Sequence, residues 1–283
     1  MAIKPRRRGY AFSPYGARLE TKMFNVQCLV MDDRDNHKPI WCEPPHELIL
    51  SEDGVHIWRA NLALPTVEIA RLTSFLSSDE IARANKFKFE IHKTRFIAAR
   101  GILRELLANY LQINPLSLEF SYSDRGKPYL ASSISSRSLQ FNLSHSQDYA
   151  LYGFTRYRPI GVDLEYLREM RDVVKIAERF FSSQEFELIA SLSNEEQQTT
   201  FFKLWTAKEA YLKATGEGLS GSLDKIAISL TPESRLSLLS VKGDGQAAAN
   251  WLMTSFIPTT DYVAAVAIET STPQQNLKFW RWN

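Results

Sequence analysis

The pentapeptides Leu76-Ser77-Ser78-Asp79-Glu80 and Phe181-Ser182-Ser183-Gln184-Glu185 carry the same helix-start signal, and a long helical run follows each of them. In both, a serine stands three residues ahead of a glutamate, the spacing at which the two side chains cap a helix reciprocally. After the first, helical patterning runs over residues 81–89 and then 94–111. In the latter run Phe96, Ile97, Ile102, Leu103, Leu106, Leu107 and Tyr110 make one broad apolar side. After the second, residues 195–215 form the counterpart, stopped by Gly216 and Gly218, which accept the left-handed conformations that end helices.

Strands frame both helical blocks. Residues 55–60 alternate in polarity. Residues 139–143, 149–155 and 160–165 read as an antiparallel meander, with Arg158-Pro159 turning the second strand into the third. Residues 226–230, 236–241, 251–257 and 262–268 close the chain, joined by 277–282. Strand, helix, helix, strands thus occurs twice. The expected fold is α+β, with two similar halves related by a pseudo-twofold axis. Each half is an antiparallel sheet packed with helices, and the functional site lies between them. The halves are placed at 53–157 and 158–283. Residues 1–52, broken by Pro14, Pro39, Pro44 and Pro45, read as an irregular extension with at most one strand at 24–31.

Charge narrows the function classes. Lys and Arg (34) nearly balance Asp and Glu (32), so no overall field calls for nucleic acid or membrane. The basic tip Lys4-Pro5-Arg6-Arg7-Arg8 reads as a frayed terminus. Cys28 and Cys42 are too few for a disulfide framework, and with His37 and His46 they match no standard zinc-finger spacing. No apolar stretch reaches the roughly 20 residues a membrane helix needs. No signal-peptide pattern opens the chain, so a cytoplasmic protein is expected.

Three groups of side chains carry chemistry. Asp163 and Glu165 share one face of a strand while Ile160, Val162 and Leu164 take the other, and Gly161 permits close packing beside them. Glu209 and Lys213 stand one helical turn apart on a common helix face. Together Asp163, Glu165 and Glu209 suit a hard divalent cation such as Mg²⁺, with Lys213 placed for an anion; a solvated strand edge is the bland alternative. In Phe141-Asn142-Leu143-Ser144-His145-Ser146 a strand is expected to give way to a polar turn in which Ser144 and His145 could bind phosphate. Finally, a basic series runs through Arg83, Lys86, Lys88, Lys93, Arg95, Arg100 and Arg104. Most of it reads as a solvated face. Arg100, set among Ile97, Ala98, Ala99 and Gly101, needs either an ion-pair partner or a bound anion.

These segments, with Arg95-Phe96-Ile97-Ala98-Ala99-Arg100, Gly126-Lys127-Pro128, Gly161-Val162-Asp163-Leu164-Glu165, Arg179-Phe180-Phe181-Ser182 and Trp205 through Lys213, resemble the 4'-phosphopantetheinyl transferases. The likeness is to the large pseudo-dimeric, surfactin-synthetase-activating type, and it covers roughly residues 54–270 in family order. It implies that Asp163, Glu165 and Glu209 hold Mg²⁺ on the pyrophosphate of coenzyme A. It places Lys213 and His145 on the phosphates, Arg100 on the nucleotide side, and Gly126, Lys127 and Pro128 at the adenine with Asn142 and Ser144 alongside. Lys208 joins the coenzyme A contacts, and Arg83 or Lys86 would take the 3'-phosphate. The implied reaction moves the phosphopantetheine arm to a serine of an apo acyl or peptidyl carrier of fatty-acid, polyketide or nonribosomal peptide synthesis, releasing 3',5'-ADP. Asp163, Glu209 and Lys213 would be catalytic, and either Glu209 or a water on the cation would take the serine proton. Two internal halves make a monomer sufficient.

Overall fold

The computed structural model describes residues 38–131, 138–218, 223–231, 236–270 and 276–283. The expected strand at 24–31, the basic tip, Cys28 and His37 lie outside the described residues. A first strand β1 (Gly54–Asn61) leads through helix α1 (Thr66–Thr73) to α2 (Ser78–Ala84) and the long α3 (Glu90–Leu111). A small hairpin, β2 (Phe120–Tyr122) and β3 (Pro128–Leu130), precedes three longer strands, β4 (Leu139–Ser146), β5 (Tyr149–Arg156) and β6 (Ile160–Tyr166). Helices α4 (Val173–Phe180), α5 (Ser183–Ala190) and α6 (Asn194–Thr215) come next. The chain closes with β7 (Ile226–Leu230), β8 (Leu236–Val241), α7 (Gly245–Ala249), β9 (Trp251–Phe256), β10 (Tyr262–Glu269) and β11 (Asn276–Arg281).

The molecule is α+β, as expected, and both serine-led helix starts form. Ser77 with Glu80 and Ser182 with Glu185 make reciprocal capping boxes. The long helices α3 and α6 are each 22 residues and end at a left-handed residue, Gln112 (φ 54°) and Gly216 (φ 77°). Helix α2 stops at Ala84, short of the expected 89, and α3 begins at Glu90, ahead of the expected 94.

Two sheets stand back to back between the long helices. One has the order β11-β1-β5-β4 and the other β6-β10-β9. Period-two alternation builds the layers. In β1 and β5, Trp58, Ala60, Ala150, Tyr152 and Phe154 pack with α3, whereas Val55, Ile57 and Leu151 turn inward. In β6 and β10, Ile160, Val162, Leu164, Ala264 and Val266 complete that inner core, and Val263, Ala265 and Ala267 pack with α6.

Two expected strand pairings change. The meander stops after β4 and β5, because β5 is flanked by β1 and β4 and has no free edge; β6 pairs instead with β10. The last strand, β11, does not join β9 and β10. It runs parallel to β1, taking that strand's open edge and burying Phe279 toward the inner core and Trp280 toward α3. Residues 38–52 are irregular, yet the Cys42 N–H donates to Phe279 O at 3.0 Å and Cys42 O accepts from the Arg281 N–H at 3.0 Å, tying them to β11.

Candidate functional site

Gly161 brings the acidic strand to α6. A Cβ at this position would lie 1.9 Å from Ala210 O and 2.5 Å from Ala214 N, so only glycine allows the contact. The face of β6 that meets α6 therefore carries Asp163 and Glu165 against Glu209 and Lys213. The Lys213 ammonium stands 2.5 Å from Asp163 Oδ1 and donates to Ser144 Oγ at 2.9 Å. The Ser144 hydroxyl donates to Asp163 Oδ1 at 3.0 Å, and the Ser146 hydroxyl to Glu165 Oε2 at 3.2 Å. Strand β4, from the other sheet, thus supplies a second wall.

The site carries more negative charge than its fixed partners balance. Burial, reinforced by the Asp163 charge, pushes the Glu209 carboxyl up to about 7 against the opposing pull of Lys213. Burial and Asp163 also raise Glu165. Asp163 Oδ2 and Glu209 Oε1 are buried without a hydrogen-bond partner. Among the described residues no group of three or more His, Cys, Asp or Glu side chains is gathered so as to hold a metal ion by itself, and Asp163, Glu165 and Glu209 stand as an open set. An open set of this kind, with two orphaned carboxylate oxygens, fits a hard cation that completes its shell with phosphate and water.

Next to the acids a cavity of about 440 Å³ is lined by Arg83, Arg100, Gly126, Pro128 and Asn142, together with Asp79, Glu80, Phe96, Tyr122 and Leu143. Five residues expected on the nucleotide side therefore share one cavity. Lys127 reaches from the adjoining turn to α6, donating to Ala214 O at 2.9 Å, and burial lowers its pKa to about 8. Arg100 proves to be paired: it lies 2.5 Å from Glu80 Oε1, donates to the Tyr122 hydroxyl at 3.1 Å and sits over the Phe120 ring at 4.8 Å. Arg104, in the series read as solvated, is buried and donates to Glu80 Oε2 at 2.6 Å. Burial works to raise the Glu80 pKa, but the two guanidiniums and the Ser77 N–H prevail and hold it below its usual value. Along the cavity lining itself Asp79 and Glu80 stand against Arg83 and Arg100, with Arg104 buried behind them.

Other expectations change. The segment 141–146 is strand throughout, with no turn, so alternation sends Ser144 and His145 to opposite faces. His145 keeps solvent access, and the surrounding protein together with the Lys213 and Arg95 charges lowers its pKa. Lys208 does not face the site. It is fully buried on another side of α6, 2.7 Å from Glu185 Oε2, and it donates to Leu223 O at 2.8 Å and to Ile226 O. Consecutive helix positions are about 100° apart, so Lys208 and Glu209 cannot share a face. Lys86 is exposed in the loop after α2 and does not line the cavity, whereas Arg83 does and lies 5.6 Å from the Phe96 ring centroid. Glu80, Tyr122 and Ser146 were not anticipated. The Ser77–Glu80 spacing signals the cap but not the second use of that glutamate as a buried counter-ion.

Comparison with known proteins identifies the family. Residues 159–267 match the 4'-phosphopantetheinyl transferase superfamily model and residues 64–153 the model for the 4'-phosphopantetheinyl transferase N-terminal region. The chain is 45% identical over 242 residues to 4'-phosphopantetheinyl transferase HetI of Nostoc sp., covering 86% of this chain and 98% of that one. It is 32% identical over 171 residues to 4'-phosphopantetheinyl transferase ffp of Bacillus subtilis, covering 60% and 74%. It is 28% identical over 171 residues to 4'-phosphopantetheinyl transferase Sfp of the same species, covering 60% and 74%. With both regions matched in order and a relative aligned over nearly its whole length, the chain belongs to the 4'-phosphopantetheinyl transferase family and is an enzyme of the Sfp type.

Proposed function

We propose that this protein transfers the 4'-phosphopantetheine arm of coenzyme A to the serine of an apo carrier protein, with Mg²⁺, releasing 3',5'-ADP. The observation that carries this reading is the pair of orphaned buried oxygens, Asp163 Oδ2 and Glu209 Oε1, beside the Lys213 ammonium and near a cavity that presents Arg83 and Arg100.

Asp163, Glu165 and Glu209 would hold the cation, which when bound supplies charge neutralisation on the pyrophosphate oxygens. The chain's own groups do the rest. Arg83, Arg100, Gly126, Lys127, Pro128 and Asn142 bind and orient the nucleotide. Lys213 uses two of its three N–H donors on Asp163 and Ser144, leaving the third for a phosphate oxygen. His145 on the far face of β4 serves the nucleotide phosphates from its own side. Either Glu209 or a water on the cation would take the proton of the attacking serine.

The carrier is met by the exposed rim around α4. Val173, Ala177 and Phe181 are core, so the contact falls to Arg168, Arg171 and Lys175, which are exposed and suit an acidic partner. Lys175 is lightly engaged, 2.7 Å from Asp172. Strand β4 and, later in the same chain, β6 with α6 supply both walls of the site, so a monomer suffices. Chromatographic detection of 3',5'-ADP tests the reaction. Release only with a carrier that has its serine supports transfer, and release without carrier would mark a hydrolase.

A further inference from the structure

Two edge strands from different sheets meet at the site, β4 at the end of one sheet and β6 at the end of the other. They do not pair through their backbones. The side chains on one face of β4 meet the free backbone edge of β6. Asn142 Oδ1 accepts from the Val162 N–H at 2.9 Å, Ser144 Oγ from the Leu164 N–H at 3.3 Å, and Ser146 Oγ from the Tyr166 N–H at 3.1 Å. Each rung joins residues 20 apart, so the two strands run the same way in a single register. Gly153 of β5, opposite Asn142, makes the approach possible. A Cβ there would come 2.8 Å from Ile160 Cδ1 and 2.8 Å from Val162 Cγ1.

The two serines do more than satisfy the strand edge. Each hydroxyl accepts a backbone N–H from β6 and donates its own proton to a β6 carboxylate, Ser144 to Asp163 and Ser146 to Glu165. A hydroxyl with one donor and two acceptor positions can do both at once. Ser144 is also tied to Lys213, whereas the proposed function gives Ser146 no role of its own. We propose that Ser146 is a positioning residue for the divalent cation: anchored on β4 and held by the Tyr166 N–H, its hydroxyl orients the Glu165 carboxylate on the face shared with Asp163. The inference rests on the proposed function, in which these acids hold a cation. Carboxylates that ligate metals are themselves hydrogen-bonded, and loss of such a partner weakens the metal about 10- to 100-fold.

The test titrates Mn²⁺, as a probe for Mg²⁺, into the full chain with coenzyme A, following free Mn²⁺ by electron paramagnetic resonance. Wild type, Ser146→Ala and Ser146→Thr are compared, with thermal unfolding of each as the check on folding. Ser146→Ala is expected to weaken Mn²⁺ about 10-fold, with Tm close to wild type, and Ser146→Thr, which keeps the hydroxyl, to recover most of that loss. Wild-type affinity in Ser146→Ala would overturn the positioning role and leave the metal reading standing. A folded Ser146→Thr as weak as Ser146→Ala would also overturn it, because the hydroxyl would then not be the agent. If wild type itself held no Mn²⁺, the cation reading and the role of Ser146 would fall together.

Discussion

The Lys213 ammonium on α6 and Asp163 Oδ1 on β6 lie 2.5 Å apart, and the contact depends on Gly161, whose missing side chain lets strand and helix touch. Side-chain chemistry and backbone packing are thus joined at one point of the fold.

Gly161→Ala should therefore lose both structure and activity. The added Cβ would meet backbone, not a movable side chain, at 1.9 Å from Ala210 O. Overpacking of a fixed core costs about 1–3 kcal/mol and more where backbone must move. A Tm several degrees lower with parallel loss of turnover is expected; an unchanged Tm would contradict the packing described.

Lys213→Ala should leave the fold nearly intact, because the side chain keeps 31% of its exposure. In the proposed reaction it removes a fixed positive charge beside the phosphates, and kcat/KM should fall about 100-fold. A fall of less than two-fold would exclude Lys213 from the reaction.

Glu209→Gln should nearly abolish turnover, and pH provides a second handle. The native carboxyl titrates near pH 7, above its ordinary 4.5, so the folded state holds this proton more tightly than the unfolded chain. The sign follows: without metal, the contribution of Glu209 to stability is favourable below about pH 4.5 and is lost as pH rises through about 7. Metal-free Glu209→Gln should then be more stable than wild type at pH 8, by an amount on the order of 1–3 kcal/mol. Cation affinity in wild type should strengthen as pH rises through 7, with proton release. Denaturant unfolding and calorimetric titration at pH 6 and 8 check both; pH-independent affinity would contradict the raised carboxyl.

Lys208→Ala should act on stability and not on coenzyme A. Its removal leaves the buried Glu185 without its counter-ion, a loss of about 3–5 kcal/mol. Any folded fraction should keep its KM for coenzyme A. A stable variant with a raised KM would return Lys208 to the binding site.

What was legible in the sequence was local. Period-two alternation placed Asp163 and Glu165 on one face, and a single helical turn joined Glu209 to Lys213, so neither needed tertiary knowledge. The two serine–glutamate caps marked both helix blocks for the same reason. What was not legible depended on contacts distant in sequence. The exclusion of Lys208 from the site follows from which side of α6 meets Glu185 and β7. The partners of β6 and β11 follow from which strand edges remain free. Ser144 and His145 part company because the strand continues through them, and composition resembling a turn did not reveal that.

The most direct test is the intact mass of an apo carrier protein after incubation with this protein, coenzyme A and Mg²⁺. The account predicts a gain of one phosphopantetheine arm on the carrier, abolished by EDTA and by replacing the carrier's serine with alanine. No gain on fatty-acid, polyketide and peptidyl carriers, from folded protein with metal present, would contradict it.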